Sequence, residues 1–443
     1  MKRIYKLLLS VLVLAGLFAT AAFASNYDGA AQELKDLGLF RGTDAGFELD
    51  RAPTRTEAAV MLVRMLGRES EAETQYAEGT VSHPFTDVPE WAAPYIAWLY
   101  ENKLTTGISD TVFGSAGQCT AKMYCTFVLR SLGYSDTADG DFTFDEAVAF
   151  AEQFGICDSK IGDGTFLRDQ AVAISYQALA SSLKDSDTSL LEKLVSDGAV
   201  SETAASAFIE KVLAYHAYRT AYDKYNSSLA VSVTSSKVLK MQNTETYADY
   251  NYSGSYAYKV KVAGNDLQLS WSGSENYGSG ITNSYAWIKD GYYYYNNSVE
   301  KTKTYLTESL LNQLFSGDTS VIMPALYTLK SAAMTLTAEG TKYVFVFADD
   351  FDFFGYVNEN LDLGFDGSNL IDISVSNCTL TVLTDSAGKI NSFKNEYSCN
   401  FKYNNEGHTA PISLDYSDYQ RVEATGDAVV LYFPDFSDYQ ELS

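Results

Sequence analysis

The chain has 443 residues, of which 46% are hydrophobic and 20% are charged, a composition that supports ordinary packed domains. This length exceeds one domain, so we expect two or three. There are 57 acidic and 32 basic residues, and this acidity disfavours nucleic acid and anionic lipid as partners. Five cysteines without metal-site spacing predict neither a disulfide framework nor a metal centre, and three histidines make a histidine-based catalytic site a poor expectation.

The first 24 residues have the pattern of an export signal. Three basic residues precede an apolar run over residues 7–22, and Ala22-Phe23-Ala24 fits the small-residue rule for cleavage. An uncleaved membrane anchor is the alternative, but the run is short for a span and no basic cluster follows it. We expect a secreted chain that starts at Ser25, keeps 29 of the 32 basic residues and has no membrane partner.

Three related segments follow the signal. Residues 54–67 align without gaps to residues 120–133, and a shorter third copy includes residues 167–174. Each segment is predicted to form a helix, a glycine-containing loop and a second helix with one apolar face. One such helix pair cannot bury its face alone, whereas three can close on each other.

The second segment opens with a specific motif. His83-Pro84-Phe85-Thr86-Asp87-Val88-Pro89-Glu90-Trp91-Ala92, then Gly107 and Phe113, together with the Thr-Arg-x-Glu helix start at Thr54, resemble the S-layer homology (SLH) domain. The resemblance implies a three-lobed helical module that binds secondary cell-wall polysaccharide, often pyruvylated, and tethers exported proteins to Gram-positive-type walls. It also implies that the motif arginine and the opening tryptophan line the binding grooves.

The helix start at Thr54 also has a direct chemical interpretation. Thr54 and Glu57 have the spacing of a capping box, which favours a structural role for both. Arg55 would occupy the first helical position, where the helix dipole disfavours a cation. A sugar-linked carboxylate would offset that cost and could bind the guanidinium and the free N–H groups together. A solvated arginine or a salt bridge to Asp50 is the alternative.

The three segments keep this motif unequally. The second reads Thr120-Ala121-Lys122-Met123, where the arginine and the capping glutamate are lost and Lys122 is a poor bidentate substitute. The third keeps Arg168 without the capping threonine, and the first lacks the opening with tryptophan. We predict polysaccharide contacts at Arg55, Arg168, Trp91 and Lys122, with core packing as the alternative for Trp91. Asp87 and Gly107 are predicted to be structural.

The periodicity changes from 3.6 to 2 residues after about residue 226, following a bridge with a helix predicted at 202–225 and His216 on its surface. We predict an antiparallel sheet with a helical insertion and an Asp-Gly hairpin at Asp290. The predicted helices are 307–315, 320–333 and 351–361. The predicted strands include 343–347, 371–383, 389–403, 412–424 and 429–433.

The motif Trp287-Ile288-Lys289-Asp290-Gly291-Tyr292-Tyr293, followed by Lys303 before a helix, resembles Lol-type lipoprotein carriers and related bacterial lipoproteins. That resemblance implies a concave sheet able to hold an apolar ligand. The tyrosine-rich strand faces could instead stack on sugars, or simply reflect the strand propensity of tyrosine.

Other candidate sites are weaker. Asp349, Asp350, Asp352, Asp362 and Asp366 lack the EF-hand spacing and are predicted to form a solvated loop rather than a calcium site. Hydrolase, metalloprotease and nucleotide-binding motifs do not occur in the sequence. Cys378 is predicted to lie opposite Glu396 with Cys399 on the other sheet face, so a disulfide between them would need a bulge.

These patterns predict a multidomain α + β protein, with a three-repeat all-α module before an antiparallel β-sheet domain. The predicted parts are a signal at 1–24, repeats at 25–68, 83–135 and 141–185, a helical bridge at 186–225 and a β-rich domain at 226–443. We expect a non-enzymatic protein without cofactor or metal, held at a Gram-positive-type cell wall by secondary cell-wall polysaccharide. One alternative is an extracellular protein with an apolar or sugar ligand in its sheet, and another is a wall-attached hydrolase.

The cleavage prediction can be checked by expressing the whole sequence in a Gram-positive secretion host. Intact mass and N-terminal sequencing of the secreted protein should give Ser25 as the first residue. Full-length protein retained in the membrane fraction would instead support the anchor.

Overall fold

In the computed structural model, the chain divides into two compact units. Ser25–His216 with Ala325–Tyr327 form a helical unit, and Ala217–Pro324 with Thr328–Ser443 form a β-rich unit. The described residues are 27–157, 161, 164–243, 249–263, 266–278, 280–315, 322–349, 351–361, 363, 366–405 and 408–442. The export signal, a turn predicted at Gly264-Asn265, and the carboxylates Asp350 and Asp362 lie outside them.

Three equivalent helices form the centre of the helical unit. Its helices are α1 (Asp28–Asp36), α2 (Arg55–Met65), α3 (Glu69–Ala77), α4 (Ala93–Glu101), α5 (Ala121–Ser131), α6 (Ala147–Gln153), α7 (Arg168–Ala178), α8 (Leu190–Ser196), α9 (Glu202–Ala205) and the first part of α10 (Ile209–Asn226). Each of α2, α5 and α7 packs against the other two. In α2 all residues except Glu57 and Arg64 are buried, as expected for a helix surrounded by others.

The bridge differs from its prediction in two respects. The helix predicted at 202–225 is divided into α9 and α10. The prediction that His216 lies on the surface is wrong, since the side chain is buried. Its Nδ1 and Nε2 lie 2.9 and 2.8 Å from the carbonyl oxygens of Ala180 and Asp187.

A single sheet forms the β-rich unit. Its strands are β1 (Ala230–Asn243), β2 (Tyr250–Ala263), β3 (Asp266–Asn276), β4 (Ile281–Lys289), β5 (Tyr292–Asn297), β6 (Lys301–Tyr305), β7 (Leu329–Thr337), β8 (Gly340–Phe347), β9 (Leu370–Asp385), β10 (Ile390–Asn405), β11 (His408–Thr425) and β12 (Gln440–Glu441). They lie in the order β12-β6-β5-β4-β3-β2-β1-β11-β10-β9-β8-β7. Neighbouring strands are antiparallel except for β12 and β6, which are parallel. The two helices α11 (Glu308–Phe315) and α12 (Phe353–Asn360) complete the predicted fold class, an antiparallel sheet with a helical insertion.

One face of the sheet, which we call the inner face, carries the core of this unit. The Tyr218 ring of α10 lies 5.0 Å from the Phe345 ring of β8. The Phe353 ring of α12 lies 5.0 Å from the Tyr397 ring of β10. Aromatic side chains on alternate strand positions therefore meet the helices on this face, which explains the period of two in the sequence.

Most predicted elements are confirmed, including the Asp-Gly hairpin, whose Asp290 and Gly291 both have positive φ angles. Thr307 also begins its helix as predicted, since its Oγ1 accepts the Leu310 N–H at 3.1 Å. The helix predicted at 320–333 is wrong over its described part, which forms a short 3₁₀ turn and then β7. Apolar runs of this length suit a helix or a strand equally, and pairing with β8 decides between them.

The strand predicted at 429–433 is also wrong. This segment leaves the sheet, and Phe436 then stacks on Tyr294 with ring centroids 3.8 Å apart. The edge is completed later by β12, which pairs with Thr302 and Lys303 of β6.

The two cysteines of β9 and β10 differ from their predicted register. Cys378 lies opposite Tyr397, because an irregularity between Ile390 and Ser392 shifts the pairing by one residue. Cys399 is two residues beyond Tyr397 and therefore shares the inner face with Cys378. All five cysteines are buried free thiols.

Thiol titration tests this arrangement. The native protein should react slowly with an aromatic disulfide reagent, because every thiol is buried. After unfolding without reductant, five thiols per chain should react. A value of three would indicate a disulfide and contradict the described cysteine geometry.

Candidate functional site

The start of α2 is fixed by the capping box that its sequence predicts. Thr54 Oγ1 accepts the Glu57 N–H at 3.2 Å, and Glu57 Oε2 accepts the Thr54 N–H at 2.7 Å. Arg51 donates to both carboxylate oxygens of Glu57 at 2.9 Å. These contacts place Arg55 at the first helical position, as predicted.

The start of α2 also docks onto the second repeat. Arg55 N–H donates to the Gly117 carbonyl at 2.8 Å, and Cys119 N–H donates to the Pro53 carbonyl at 2.9 Å. Thr56 Oγ1 donates to the Ser115 carbonyl at 3.1 Å. We call the start of α2 with residues 113–119 the Arg55 junction.

The Arg55 guanidinium is enclosed by this junction without an ionic partner. The residue is 7% exposed, and its guanidinium carbon lies 4.9 and 5.2 Å from the ring centroids of Phe113 and Phe127. Nε has no hydrogen-bond partner among the described residues, and the same holds for the buried Ser115 Oγ. Burial lowers the pKa of Arg55 and Arg130 adds to this, while Cys119 and Asp87 oppose it. The predicted alternative, a salt bridge to Asp50, is not among its contacts.

Asp87 connects the opening motif to this junction. Its carboxylate accepts the backbone N–H groups of Phe113, Gly114 and Ser115 at 2.7, 2.8 and 2.8 Å. Burial raises the pKa of the Asp87 carboxyl, but the three N–H donors outweigh burial and hold the pKa below its usual value. Asp87 thereby fixes the backbone of residues 113–115.

Trp91 lies four residues beyond Asp87, in the 3₁₀ turn Glu90–Ala92. It is 57% exposed, so the alternative of core packing does not hold for it. Trp98 is the buried tryptophan of this repeat, and its Nε1 donates to Glu71 at 3.1 Å.

Gly107 occupies a position that only glycine fits. Its φ is +73°, and a Cβ there would lie 2.4 Å from the Phe85 ring. The residue lets the chain turn against the aromatic side chain of the opening motif.

The other two helix starts are built differently. Arg168 is 4% exposed, but its Nε donates to the Phe47 carbonyl at 3.0 Å and its Nη1 lies 3.8 Å from the Met61 sulfur. Lys122 pairs with Asp145 at 2.7 Å on the surface. Among the described residues, the Arg168 and Lys122 side chains thus have hydrogen-bonding or ionic partners, whereas Arg55 Nε has none.

A family model matches part of the helical unit. The model of the S-layer homology domain matches residues 84–120, which carry Asp87, Trp91, Gly107 and the loop that receives Arg55. Residues 84–120 of the helical unit therefore match an S-layer homology (SLH) domain.

A protein named "Cell surface protein" from Thermoanaerobacter kivui is 32% identical over 113 residues, which are 25% of this chain and 14% of the relative. The matched region is thus a small part of that relative's length.

Three solved structures are similar to about half of the chain at 9–10% identity. LprF from Mycobacterium bovis covers 50% of this chain and 97% of its own with a TM-score of 0.25. The ywiB protein of Bacillus subtilis covers 44% and 96% with a TM-score of 0.12. A DUF1329 family protein from Desulfovibrio piger covers 48% and 93% with a TM-score of 0.16. Scores this low support no conclusion about ligands, so the apolar ligand of the sheet stays a prediction.

Among the described residues, no group of three or more histidine, cysteine, aspartate or glutamate side chains is placed to hold a metal ion. Within the same residues, no helix combines the length and apolar character that crossing a bilayer requires.

Sequence reasoning missed part of the SLH domain's surroundings. The sequence predictions include neither Phe127, whose ring centroid lies 5.2 Å from the Arg55 guanidinium carbon, nor Ser115, whose carbonyl accepts from Thr56. Phe127 falls on the apolar face of a predicted helix, and this periodicity is the sequence signal that could have identified it as a buried neighbour of the site. The sequence around Ser115 carries no comparable signal.

Asp87→Ala should loosen the loop of the SLH domain. Because the carboxylate is exposed, we expect a loss of only about 1 kcal/mol in the free energy of unfolding. The pKa is lowered on folding, so this stabilisation is complete above about pH 5 and disappears as the pH falls through the folded-state pKa. Denaturant unfolding at pH 7 and in acid measures both effects, with the exposed Asp110→Ala as control. A pH-independent difference would contradict this role of the carboxylate.

Proposed function

We propose that the helical unit anchors this protein at the cell surface by binding the anionic group of a secondary cell-wall polysaccharide at the Arg55 junction. The SLH domain and the cell surface relative support wall anchoring. The observation that carries the finer proposal is the buried Arg55, whose Nε has no hydrogen-bond partner.

The chemistry of the junction favours an anion. A buried cation without a partner is unfavourable, and at the first helical position the helix dipole adds to the cost. A carboxylate would reverse both effects, because guanidinium and hydroxyl groups are donors that match its oxygens. Ser115 Oγ is such a hydroxyl in the loop that receives Arg55, and it has no hydrogen-bond partner among the described residues.

Trp91 extends the proposed surface. Asp87 ties its segment to the loop that encloses Arg55, and an exposed indole is suited to contact with a sugar ring. Arg168 is less suited, because its guanidinium already has partners inside the unit. In this proposal the protein is not an enzyme, and the β-rich unit is the part displayed.

A co-sedimentation assay tests the proposal. The mature chain, residues 25–443, is mixed with Gram-positive sacculi that carry a pyruvylated secondary polysaccharide, and with the same sacculi after its chemical removal. The wild type should pellet only when the polymer is present. Arg55→Met should weaken binding by at least about tenfold, because a charge-assisted pair is lost.

The melting temperature of each variant separates binding from folding. Arg55→Met should not lower it, because the variant removes a buried charge without a partner. Arg168→Met should lower it, since its contact with the Phe47 carbonyl is lost. Arg41→Met, an exposed arginine of the same repeat, is the matched control. Equal pelleting of Arg55→Met and wild type, or no pelleting of the wild type, would refute the proposal.

A further inference from the structure

A row of polar residues crosses the inner face of the sheet in the β-rich unit. Going from β3 through β2, β1 and β11 to β10, strand pairing places five residues side by side. They are Glu275, Gly254, Lys237, Asp418 and Asn395. At the usual strand spacing this row is about 19 Å long. We call it the polar row.

The polar row has a deep end and an open end. Lys237, Asp418 and Asn395 are all more than nine-tenths buried. Glu275 at the other end is half-buried, as are the neighbouring aromatic residues Tyr256 and Trp271. Solvent therefore reaches the row from the β3 side.

Aromatic rings lie flat beside the open end. A Cβ on Gly254 would be 2.5 Å from the Tyr252 hydroxyl and 2.7 Å from the Tyr256 ring. A Cβ on Gly273 would be 2.6 Å from the Trp271 ring. The two glycines thus make room for side chains that lie across the strands instead of standing upright.

The carboxylates of the row are held in place by neighbouring groups. Tyr256 hydroxyl donates to Glu275 Oε1 at 2.6 Å. Ser235 Oγ and Gln420 Nε2 donate to the two Asp418 oxygens at 3.0 and 3.1 Å. Lys237 Nζ lies 5.6 Å from the Tyr256 ring centroid and forms no ion pair among the described residues.

Two groups at the deep end lack partners. Tyr416 is 3% exposed and Asn395 is 1% exposed, yet Tyr416 Oη and Asn395 Oδ1 have no hydrogen-bond partner in the described structure. Asn395 belongs to the row itself. Tyr416 lies on the same face, two residues from Asp418. Burial is the larger cause that raises the pKa of the Tyr416 hydroxyl, and the Asp418 charge raises it further. Buried polar groups normally have partners, so these two point to a ligand.

We propose that the polar row is the binding site of an uncharged saccharide. A sugar ring would stack on Trp271 and Tyr256, while its hydroxyls donate to Asp418 and Glu275 and accept from Lys237 and the Tyr416 hydroxyl. This site is independent of the wall anchor and lies in the other unit.

Other ligand classes match the row less well. An acyl chain would bury the charges of Lys237 and Asp418 against hydrocarbon without hydrogen bonds. A phosphate-bearing ligand would be repelled, because the row holds two carboxylates against one lysine and the whole chain is acidic. A saccharide has apolar C–H faces and groups that both donate and accept, which is the combination that this surface presents.

The test uses the mature chain carrying Arg55→Met, so that the wall anchor does not contribute. Saturation-transfer NMR and calorimetry are run with chitotriose, cellotriose and maltotriose. At least one should bind saturably, and Trp271→Leu should abolish its binding. Absence of saturable binding for all three would overturn the proposal and would leave wall anchoring unaffected.

Tyr416→Phe distinguishes a ligand site from a structural network. It should weaken binding of that trisaccharide roughly three- to tenfold, since one hydrogen bond is lost. The melting temperature should stay the same or rise, because a buried hydroxyl without a partner is removed. Tyr218→Phe, which loses a bond to the Ile322 carbonyl, is the matched control and should lower the melting temperature without changing affinity. Unchanged affinity in Tyr416→Phe would overturn the proposal.

Discussion

The backbone N–H groups at the start of a helix have no acceptors within that helix. In the helical unit, carbonyl groups of other repeats accept some of them, and these contacts connect the repeats. The start of α2 takes the Gly117 carbonyl from the second repeat, and the start of α7 takes the Arg51 carbonyl from the first. The second repeat thereby completes the start of a helix of the first, and the first completes the start of a helix of the third. The same contacts bring a basic side chain of one repeat into a loop of the next, where Asp87 fixes the backbone.

Local chemistry was predictable wherever one short segment determines it. The capping box at Thr54, the turn at Asp290 and the helix start at Thr307 were all predicted from neighbouring residues, and all are present. Predictions were wrong where a distant segment decides. The burial of His216 depends on residues 180–187, and the register of Cys378 depends on an irregularity at the other end of its hairpin.

The candidate site shows the same division. The sequence indicated which residues of the three repeats could form a site, because the motif is local. It did not indicate that Arg168 would be bonded to a backbone carbonyl while Arg55 would have no partner at Nε, since both occupy the same helical position. In the β-rich unit, alternation predicted a buried face. That Lys237 and Asp418 would meet in its centre follows from the strand order β2-β1-β11, which joins segments about 180 residues apart.

The inequality of the three helix starts has a consequence for valency. Three equivalent binding sites on one molecule would hold the polymer at several points. When one site dissociated, the others would keep the polymer close, and the free site would bind again before the protein was lost. In the proposed anchoring only the Arg55 junction binds the polymer, so each molecule would be monovalent. Its residence time would follow a single dissociation rate, and a layer of such molecules would exchange with the surrounding medium instead of accumulating permanently.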